Sequence, residues 1–561
     1  MDFRVVISVL VSVWMFSVNS ITAKEATNNK KEKSPRIINI VNFIRQTDYR
    51  LENSDALMFE TVEKQIDLVN QYNFPATFLF QYDALINPEY QKLMKTKLSP
   101  TCELGAWWEI TQPHVEAAGL KWRGEHSWVS TANIAFTPGY TLEEREKLVD
   151  VYMAKFKEIY GKYPKSVGSW YVDSHTLEYM YKKYGIVASC NCKDQVGTDG
   201  YTLWGGYWNQ AYYPSKLNAY MPAQTDEYQI PVPVFRMLGS DPMYQYDAGI
   251  GSNHQGVITL EPVYTEGGKS KKWVDYFLKT IVDEPCLAFN YAQAGQENSF
   301  TWSGMGEGLV MQFPLFDSLS KAGKIRVETL EESGRWFKEQ FPKTPATAIT
   351  TLADVRNEGN KSVWYNSRFY RSNLYWEKDG FCFRDIHLFD EKMKSEYLDT
   401  PGTGGQFFYY TLPVIDRFYW STPDDKIGLR VVKLDKNGKG TELVLADPVV
   451  SEPSKSVLHV ESKDKSGNNF IFTFNEDKID ISCNAAESDL DWALELRVPQ
   501  GRLDRLPFKD FEKSSVKSEF RGFNYNVACE KGSIVKGNNT DYVLRFVPSG
   551  NKLIIDCTTG Q

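Results

Sequence analysis

The sequence predicts an α/β protein in which a (β/α) barrel of about seven to eight strands is followed by an all-β sandwich domain. Between residues 36 and 345, apolar runs of strand length alternate with amphipathic helical patterns, which is typical of a parallel sheet with helices outside it. After about residue 350, alternating runs broken by turn sequences are typical of antiparallel sheets. Hydrophobic residues at 42% and charged residues at 24% supply enough apolar area for both cores.

The N-terminus has the pattern of a secretory signal peptide over residues 1–23. Arg4 precedes the apolar run VVISVLVSVWMFSV, and small residues follow at a possible cleavage site after Ser20 or Ala23. This run is too short for a comfortable transmembrane helix, and no later apolar stretch in the sequence is long enough to span a bilayer. Residues 24–35 are polar and are predicted to form a disordered leader. We therefore expect a secreted protein, periplasmic or extracellular, without a membrane span.

Within the expected barrel, residues 36–345, strand and helix patterns follow one another. The clearest helix is TLEEREKLVDVYMAKFKEIYG, in which Thr141 is the N-cap, Glu144 completes a capping box and Gly161 ends the helix. No G-x-G-x-x-G follows a strand and no P-loop occurs, which disfavours a nucleotide-binding open sheet. The predicted strands are RIINIVNFI, PATFLFQY, CELGAWWE, SVGSWYVD, IVASCN, VPVFRMLGSD and PCLAFNYAQ.

The second domain, residues 350–561, is predicted to be built from hairpins. DKNGKG and KSGNN separate alternating runs and are typical of turns between antiparallel strands. Long runs such as KSVWYNSRFYRSNLYWEKDGFCFRDIHLFD have the strand propensities of a half-buried sheet. A sandwich of two sheets is the architecture that this pattern favours.

The composition favours a carbohydrate partner and disfavours a nucleic acid. The formal net charge is −8, whereas a nucleic-acid-binding protein needs a basic patch. The chain has 15 Trp, 32 Tyr and 32 Phe, and flat rings suit the C–H faces of sugars, although most of these rings are expected in the core. No sequence feature specifies an oligomeric state.

Several predicted strands end on or near a carboxylate. In a parallel barrel, catalytic groups stand at the carboxyl ends of the strands, and Glu109, Asp173 and Asp241 hold such positions. Asp173 directly precedes SHTLEYM, so an N-cap role is an equally good interpretation of that residue. Glu261 and Glu297 are further candidates. Two carboxylates that flank a glycosidic bond are what glycoside hydrolysis requires, so this arrangement suggests that reaction.

Four segments resemble the family 57 glycoside hydrolases and the polysaccharide deacetylases. GSWYVDS resembles the nucleophile segment of family 57, and FRMLGSDPMYQY is similar to its later Arg and Ser-Asp segment. ELGAWWEITQP resembles the third-strand segment, and FPATFLFQYDAL is similar to the second strand that both groups share. The chain also resembles secreted proteins of gut Bacteroidetes described as glycoside hydrolase/deacetylase, a barrel followed by a β domain. The His-Gln-Pro of family 57 is replaced here by NFIRQTDYR.

This resemblance implies roles for individual residues. Asp173 would be the nucleophile, where family 57 has Glu, and Asp241 the general acid/base. Glu109 is the third candidate catalytic residue. The expected substrate-contacting residues are Trp107, Trp108, Trp170, His126, His175, Trp208, Arg236, Glu261 and Glu297.

Two alternatives stay open. A metal-dependent deacetylase on the same barrel would resemble its family in a paired Asp at the first strand and an H-x-x-x-H on the third. No two of the six histidines lie three or four residues apart, so we expect no metal site and no cofactor. The other alternative is a glycan-binding protein without catalysis, which the tryptophans alone would suit.

Overall fold

A computed structural model describes residues 33–378, 380–486 and 490–560. The expected signal peptide and most of the expected leader lie outside these residues. Within the described ranges, no helix is long and apolar enough to cross a membrane. The described residues from Ser34 onward form one compact unit, in which the barrel and the antiparallel sheets pack together.

The N-terminal half of this unit contains eleven strands and ten α-helices. The strands are β1 (Arg36–Ile44), β2 (Thr77–Phe80), β3 (Glu103–Trp107), β4 (Ser166–Gly168), β5 (Ala188–Asn191), β6 (Gln195–Thr198), β7 (Tyr201–Trp204), β8 (Ala211–Tyr212), β9 (Val234–Arg236), β10 (Asn290–Ala294) and β11 (Arg326–Glu328). The helices are α1 (Ser54–Tyr72), α2 (Tyr82–Ile86), α3 (Pro88–Lys97), α4 (Gln112–Ala117), α5 (Ala132–Ala135), α6 (Leu142–Tyr160), α7 (Ser174–Tyr184), α8 (Lys271–Asp283), α9 (Thr301–Lys321) and α10 (Leu330–Gln340).

Seven parallel strands curve into an almost closed barrel in the order β10-β1-β2-β3-β4-β5-β9. β8 pairs antiparallel with β9, and β11 pairs with the first half of β1. β9 and β10 are not paired with each other in the described sheet; the rings of Phe235 and Tyr291 meet there at 4.9 Å. All nine residues of β1 are buried, as expected of a strand covered on both faces. The structure thus has the predicted parallel barrel, with an opening between its end strands.

Local sequence signals set several helix ends. α6 begins with the predicted capping box of Thr141 and Glu144, and it ends at Gly161, whose φ of 75° suits glycine. α7 is capped by Asp173 and ends at Gly185 with φ 71°. The predicted amphipathic pattern places the apolar faces of α1, α6 and α8 against the sheet.

The C-terminal half is dominated by antiparallel strands, and its described residues include one short α-helix, α11 (Arg417–Trp420). Its strands are β12 (Thr347–Thr351), β13 (Lys361–Asn366), β14 (Tyr370–Glu377), β15 (Gly380–Leu388), β16 (Phe407–Tyr410), β17 (Leu412–Asp416), β18 (Leu429–Leu434), β19 (Gly440–Glu442), β20 (Ala446–Ser451), β21 (Leu458–Lys463), β22 (Asn469–Phe474), β23 (Lys478–Asn484), β24 (Trp492–Leu496), β25 (Phe508–Phe511), β26 (Ser515–Phe520), β27 (Phe523–Lys531), β28 (Ser533–Lys536), β29 (Leu544–Val547) and β30 (Lys552–Asp556).

These strands form two large sheets that face each other. One follows the order β12-β13-β14-β15-β18-β24-β29-β28, and the other β20-β21-β22-β23-β30-β27-β26-β25. Aromatic rings fill the space between them, with Phe381 5.1 Å from Phe472 and Tyr365 5.4 Å from Phe474. Both predicted hairpins occur, between β18 and β19 and between β21 and β22. The predicted domain limits, 36–345 and 350–561, stay a prediction.

A third, small sheet lies over the carboxyl end of the barrel. The β6–β7 hairpin directly follows β5, and β16 pairs in parallel with β7. Tyr201 of β7 stacks on Trp170, which follows β4, with ring centroids 6.4 Å apart. The C-terminal half of the chain therefore contributes one strand to the cover of the barrel mouth.

Two predicted strands end earlier than expected. β4 stops at Gly168 and β9 at Arg236, so Asp173 and Asp241 lie beyond the strands rather than on their last residues. After β9 the chain turns at Leu238 and Gly239, with φ of 75° and 55°, and this left-handed pair breaks the extended backbone. The apolar run after Arg236 therefore continues as a loop.

Candidate active site

Polar side chains converge where the barrel strands end. We call this group the mouth cluster; it comprises Arg45, Glu109, Lys193, Glu261, Gln296 and Glu297. Arg45, Glu109, Lys193 and Glu297 follow β1, β3, β5 and β10 within three residues. Because the carboxyl ends of parallel strands meet at one edge of a barrel, residues distant in sequence become neighbours there.

Arg45 and Glu109 form the centre of the cluster. Arg45 donates from Nε and Nη2 to the two carboxylate oxygens of Glu109, each at 2.8 Å. The indoles of Trp107 and Trp170 also donate to Glu109, at 2.8 and 2.9 Å, and Gln81 donates at 3.2 Å. Glu109 is only 2% exposed and both of its oxygens are occupied. Its contacts suit a carboxylate that fixes Arg45 in place.

Glu297 lies on the other side of the same guanidinium. Its Oε2 is 3.0 Å from Nη1 of Arg45, and its Oε1 accepts a 2.6 Å hydrogen bond from Ser299. Burial raises the pKa of the Glu297 carboxyl to about 7; Arg45 opposes this change and the Glu109 carboxylate adds to it. A carboxyl group with this pKa can accept and release a proton near neutral pH.

Gln296 connects Glu297 to Glu261. The side-chain oxygen of Gln296 accepts from the backbone N–H of Glu297, and its amide donates to Glu261 at 2.7 Å. Thr259 donates to the other Glu261 oxygen at 2.7 Å. Burial raises the pKa of Glu261, and the amino group of Lys193 opposes that rise.

Lys193 is a buried amino group with weak polar contacts. It is 2% exposed, and its Nζ lies 3.3 Å from the carbonyl oxygen of Asp194 and 3.4 Å from Oε1 of Gln195. In the described part of the chain no carboxylate lies at ion-pair distance from it. Burial lowers the pKa of the Lys193 amino group. This amine is thus available to a bound group that can accept a hydrogen bond.

Asp194 anchors the segment that carries Lys193. Arg236 donates to it at 2.8 Å, and Tyr220 and Arg371 donate to it as well. Arg371 belongs to β14 and also makes two hydrogen bonds to Asp385, at 2.9 and 2.8 Å. Burial alone would raise the pKa of Asp194, but the two guanidinium groups outweigh it and hold the pKa below its ordinary value. The C-terminal sheet therefore helps to position the end of β5.

The expected tryptophans divide into two groups. Trp107 and Trp170 bind Glu109, as described above, and their rings meet edge to face at 5.3 Å. Trp108 instead faces the helix layer, where its ring lies 5.4 Å from His114. Trp208 stacks on Trp364 of β13 at 3.9 Å and joins the barrel to the large sheet. In this structure Trp108 and Trp208 have packing contacts away from the mouth cluster.

Asp173 caps a helix and forms a buried ion pair. It accepts from the backbone N–H of Thr176 at 3.0 Å, from the hydroxyls of Thr137 and Thr176, and from Arg145 at 3.0 Å. Burial alone would raise its pKa, but Arg145 and these hydrogen bonds outweigh it and hold the pKa of Asp173 below its ordinary value. The helix-cap interpretation therefore accounts for its contacts.

Asp241 is also satisfied by its surroundings. Its Oδ1 accepts from the backbone N–H groups of Met243 and Tyr244, and its Oδ2 accepts from the indole of Trp273, all at 2.7 Å. Burial raises its pKa. Among the described residues, Asp173 and Asp241 accept hydrogen bonds from different donors, and their pairing as two catalytic acids stays a prediction.

The two candidate histidines occupy different places. His126 is exposed and stacks on Tyr49 at 4.3 Å, beside the mouth cluster. His175 lies on α7 and is 3.1 Å from Glu146 of α6, in the helix layer. The role of His126 as a substrate contact stays a prediction, whereas the contact of His175 joins two helices.

A large cavity of about 1250 Å³ lies away from the mouth cluster, between the loop after β9 and the large antiparallel sheet. Its walls include Tyr244, Arg356, Glu377, Arg430 and Glu442. Arg430 pairs with Glu442 at 2.7 Å and Arg356 with Glu266 at 3.4 Å, so several charged groups in its walls are paired with each other. The perturbed carboxyl and amino groups of the mouth cluster are a stronger indication of chemistry than this cavity's size.

Arg45, Lys193 and Gln296 were not predicted as site residues from the sequence. Arg45 follows β1 directly and Lys193 lies two residues after β5, so their positions at strand ends were the available signal. Carboxylates and aromatic rings suggest sugar chemistry more directly than these donors do. Glu109, Glu261, Glu297, Trp107 and Trp170 were named from the sequence, and the structure brings them together with these donors.

Comparison with known proteins is informative for the fold. No protein-family model matches the chain, and no curated protein matches it. A Parabacteroides distasonis structure described as a "putative glycoside hydrolase/deacetylase" matches with a TM-score of 0.51 at 14% identity, over 68% of this chain and 92% of that one. The likeness at this identity is one of fold, a barrel with an added β region.

Two structures described as a "putative polysaccharide deacetylase" and a "probable Polysaccharide deacetylase" match at lower scores. The Mycobacterium smegmatis structure has 11% identity and a TM-score of 0.35, over 56% of this chain and 94% of that one. The Pseudomonas aeruginosa PAO1 structure has 12% identity and a TM-score of 0.33, over 55% of this chain and 93% of that one.

Proposed function

We propose that this protein is a carbohydrate hydrolase that removes acyl groups, with the mouth cluster as its active centre. The observation that carries the proposal is Glu297, a buried carboxyl with a pKa of about 7 that lies between Arg45 and the Gln296–Glu261 pair. Such a group is suited to general acid–base catalysis near neutral pH. The Parabacteroides distasonis structure of similar fold is described as a "putative glycoside hydrolase/deacetylase", which is consistent with a carbohydrate substrate.

Deacylation would use Glu297 first as a base and then as an acid. The Glu297 carboxylate takes a proton from water while the water oxygen forms a bond to the acyl carbon. The carbonyl electron pair moves to oxygen, where the positively charged Arg45 and the amine of Lys193 stabilise it. When the bond from the acyl carbon to the sugar breaks, Glu297 returns the proton to the leaving sugar atom. The products are the acid and the unacylated sugar.

The residues present do not fit a metal held by acids and histidines. Where the deacetylase resemblance implies paired Asp and H-x-x-x-H ligands, this chain has Arg45 and Glu109 at the first and third strand ends. Among the residues that the structure describes, no group of three His, Cys, Asp or Glu side chains is placed to hold a metal ion. No step of the proposed reaction is assigned to a metal; the positive charge comes from Arg45.

Glycosidic cleavage is the second candidate. Glu261 and Glu297 are two buried carboxyl groups joined through Gln296, and a pair of carboxyls is what that reaction needs. In that case Glu297 would protonate the leaving oxygen and Glu261, beside Lys193, would be the second carboxylate. This pair replaces the Asp173–Asp241 pair that the sequence suggested.

One assay separates the two reactions. O-acetylated and N-acetylated oligosaccharides would be incubated with the wild-type protein, and released acetate and new reducing ends would be measured in the same samples. Acetate without new reducing ends supports deacylation, and the reverse supports glycosidic cleavage. Glu297→Gln should reduce either activity by about a hundredfold or more. Glu307→Gln, an exposed residue of α9, is the matched control. Absence of both products would favour a glycan-binding protein instead.

A further inference from the structure

Tyr49 is an exposed aromatic ring in a protein that buries most of its rings. The residue is 46% exposed, and no other described Phe, Tyr or Trp is as exposed. A single exposed ring is common on protein surfaces, so its neighbours decide whether it can serve a ligand.

The ring of Tyr49 is held in place from one side. His126 stacks on it with centroids 4.3 Å apart and an interplanar angle of 8°, and Trp128 lies 6.0 Å away. The guanidinium of Arg50 lies over Trp128 at 4.9 Å and is itself paired with Asp48 at 2.6 Å. Because His126 covers one face, the exposed area belongs mainly to the other face and the ring edge. A ring fixed in this way loses little freedom when a ligand stacks on it.

The same aromatic group touches the mouth cluster. Arg45, four residues before Tyr49, lies over Trp128 at 4.3 Å from its centroid. The guanidinium of Arg45 also binds the carboxylates of Glu109 and Glu297. Trp128 thus separates Tyr49 from the proposed active centre by a single layer of side chains.

We propose that Tyr49, supported by His126, is a stacking site for a sugar unit of an oligosaccharide or polysaccharide next to the unit held at the mouth cluster. The inference rests on the proposed function for its substrate class and adds that the substrate is a chain of sugars. A sugar presents an apolar C–H face to the ring and hydroxyl groups to its rim. Arg50, the next residue in the chain, has a side chain that is 43% exposed and carries hydrogen-bond donors.

The test measures binding without turnover. Affinity gel electrophoresis in gels that contain acetylated xylan, mannan, chitosan or pectin would be run on Glu297→Gln protein, so that the polysaccharide is not consumed. Tyr49→Ala in this background should weaken binding to the retarding polysaccharide by about tenfold, whereas Tyr49→Phe, which keeps the ring face, should stay within about twofold. Leu57→Ala is the control, since Leu57 is 40% exposed and lies on α1. Thermal melting of each variant checks its folding.

The outcomes separate this inference from the proposed function. Equal retardation of the Tyr49→Ala variant and its parent would overturn the stacking site, and so would the absence of retardation by every polysaccharide. Retardation that depends on Tyr49, together with no acetate or reducing-end release by the wild-type protein, would leave the stacking site in place and overturn the hydrolase. Retardation that also occurs in gels without polysaccharide, because the protein associates with itself or with another protein, would also overturn the stacking site.

Discussion

Arg45 and Glu109, which follow the first and third barrel strands, are joined by two parallel hydrogen bonds of 2.8 Å across the intervening strand β2. Gln81, which follows β2, donates to the same carboxylate. Three neighbouring strand ends are thus tied together by side chains, and the remaining guanidinium nitrogen is directed to Glu297. This arrangement places a permanent positive charge beside the carboxyl whose pKa is about 7.

Removal of Arg45 should destabilise the protein. Arg45→Met leaves Glu109 and Glu297 buried without their cation, and the free energy of unfolding should fall by about 3–5 kcal/mol. Urea unfolding at pH 7 measures this change. Arg335→Met is the control, because Arg335 pairs with Glu331 on the surface of α10 and its loss should cost under about 1 kcal/mol. Similar losses in both variants would contradict the central role of Arg45.

The value of kcat/KM should change with pH as the Glu297 carboxyl group ionises. If Glu297 acts first as a base in deacylation, activity should rise with pH through about 7, because only the carboxylate accepts a proton. If it acts as an acid in glycosidic cleavage, activity should fall through the same range. Rate profiles from pH 5 to 9 distinguish the two directions. If the Glu297→Gln variant keeps the change in kcat/KM near pH 7, that change belongs to the ionisation of another group.

Asp173→Asn should affect stability more than turnover. The substitution removes the charge that pairs with Arg145 in a buried position, so the free energy of unfolding should fall by about 3 kcal/mol. Because the pKa of Asp173 is held below its ordinary value, its contribution is present at neutral pH and is lost as pH falls through the folded pKa. Turnover per folded molecule, measured after a melting curve, should change less than about threefold. A hundredfold loss with unchanged stability would return Asp173 to the catalytic role that the sequence suggested.

Glu103 should make the protein less stable as pH rises. It is buried near the amino ends of the barrel strands, where Thr77, Ser166 and the backbone of Glu331 donate to it, and burial raises its pKa to about 7. The folded state therefore binds the proton more tightly than the unfolded chain, whose pKa is about 4.3. This stabilisation is complete below about pH 4 and is lost as pH rises through 7.

Glu103→Gln removes that ionisation. The difference in unfolding free energy between pH 5 and pH 8 should change by up to about 3 kcal/mol relative to wild type, in the direction of a flatter dependence. Urea unfolding at the two pH values measures it, and Glu339→Gln on the exposed face of α10 is the control. An identical pH dependence in wild type and Glu103→Gln would show that this carboxyl does not titrate in the range.

Local sequence signals predicted much of the fold. The Thr141–Glu144 capping box and Gly161 defined α6, DKNGKG and KSGNN defined two hairpins, and the largely apolar RIINIVNFI defined a strand buried on both faces. These signals are reliable because each depends on hydrogen bonds and side-chain spacing within a few residues. Glu109 could also be named from a local signal, because this acid lies two residues after a strand that ends in tryptophan.

The assignment of the carboxylates depended on contacts that the sequence does not record. Asp173 and Glu109 both follow apolar strands, yet one meets Arg145 and a helix N-terminus while the other meets Arg45 and two indoles. Which partner a carboxylate meets is decided by how the barrel closes, because the partners lie 28 and 64 residues away in the chain. The sequence by itself determined the strand and helix pattern and the acids at strand ends; only the tertiary structure decided which of them share a site, because burial and long-range pairing set their charge and pKa.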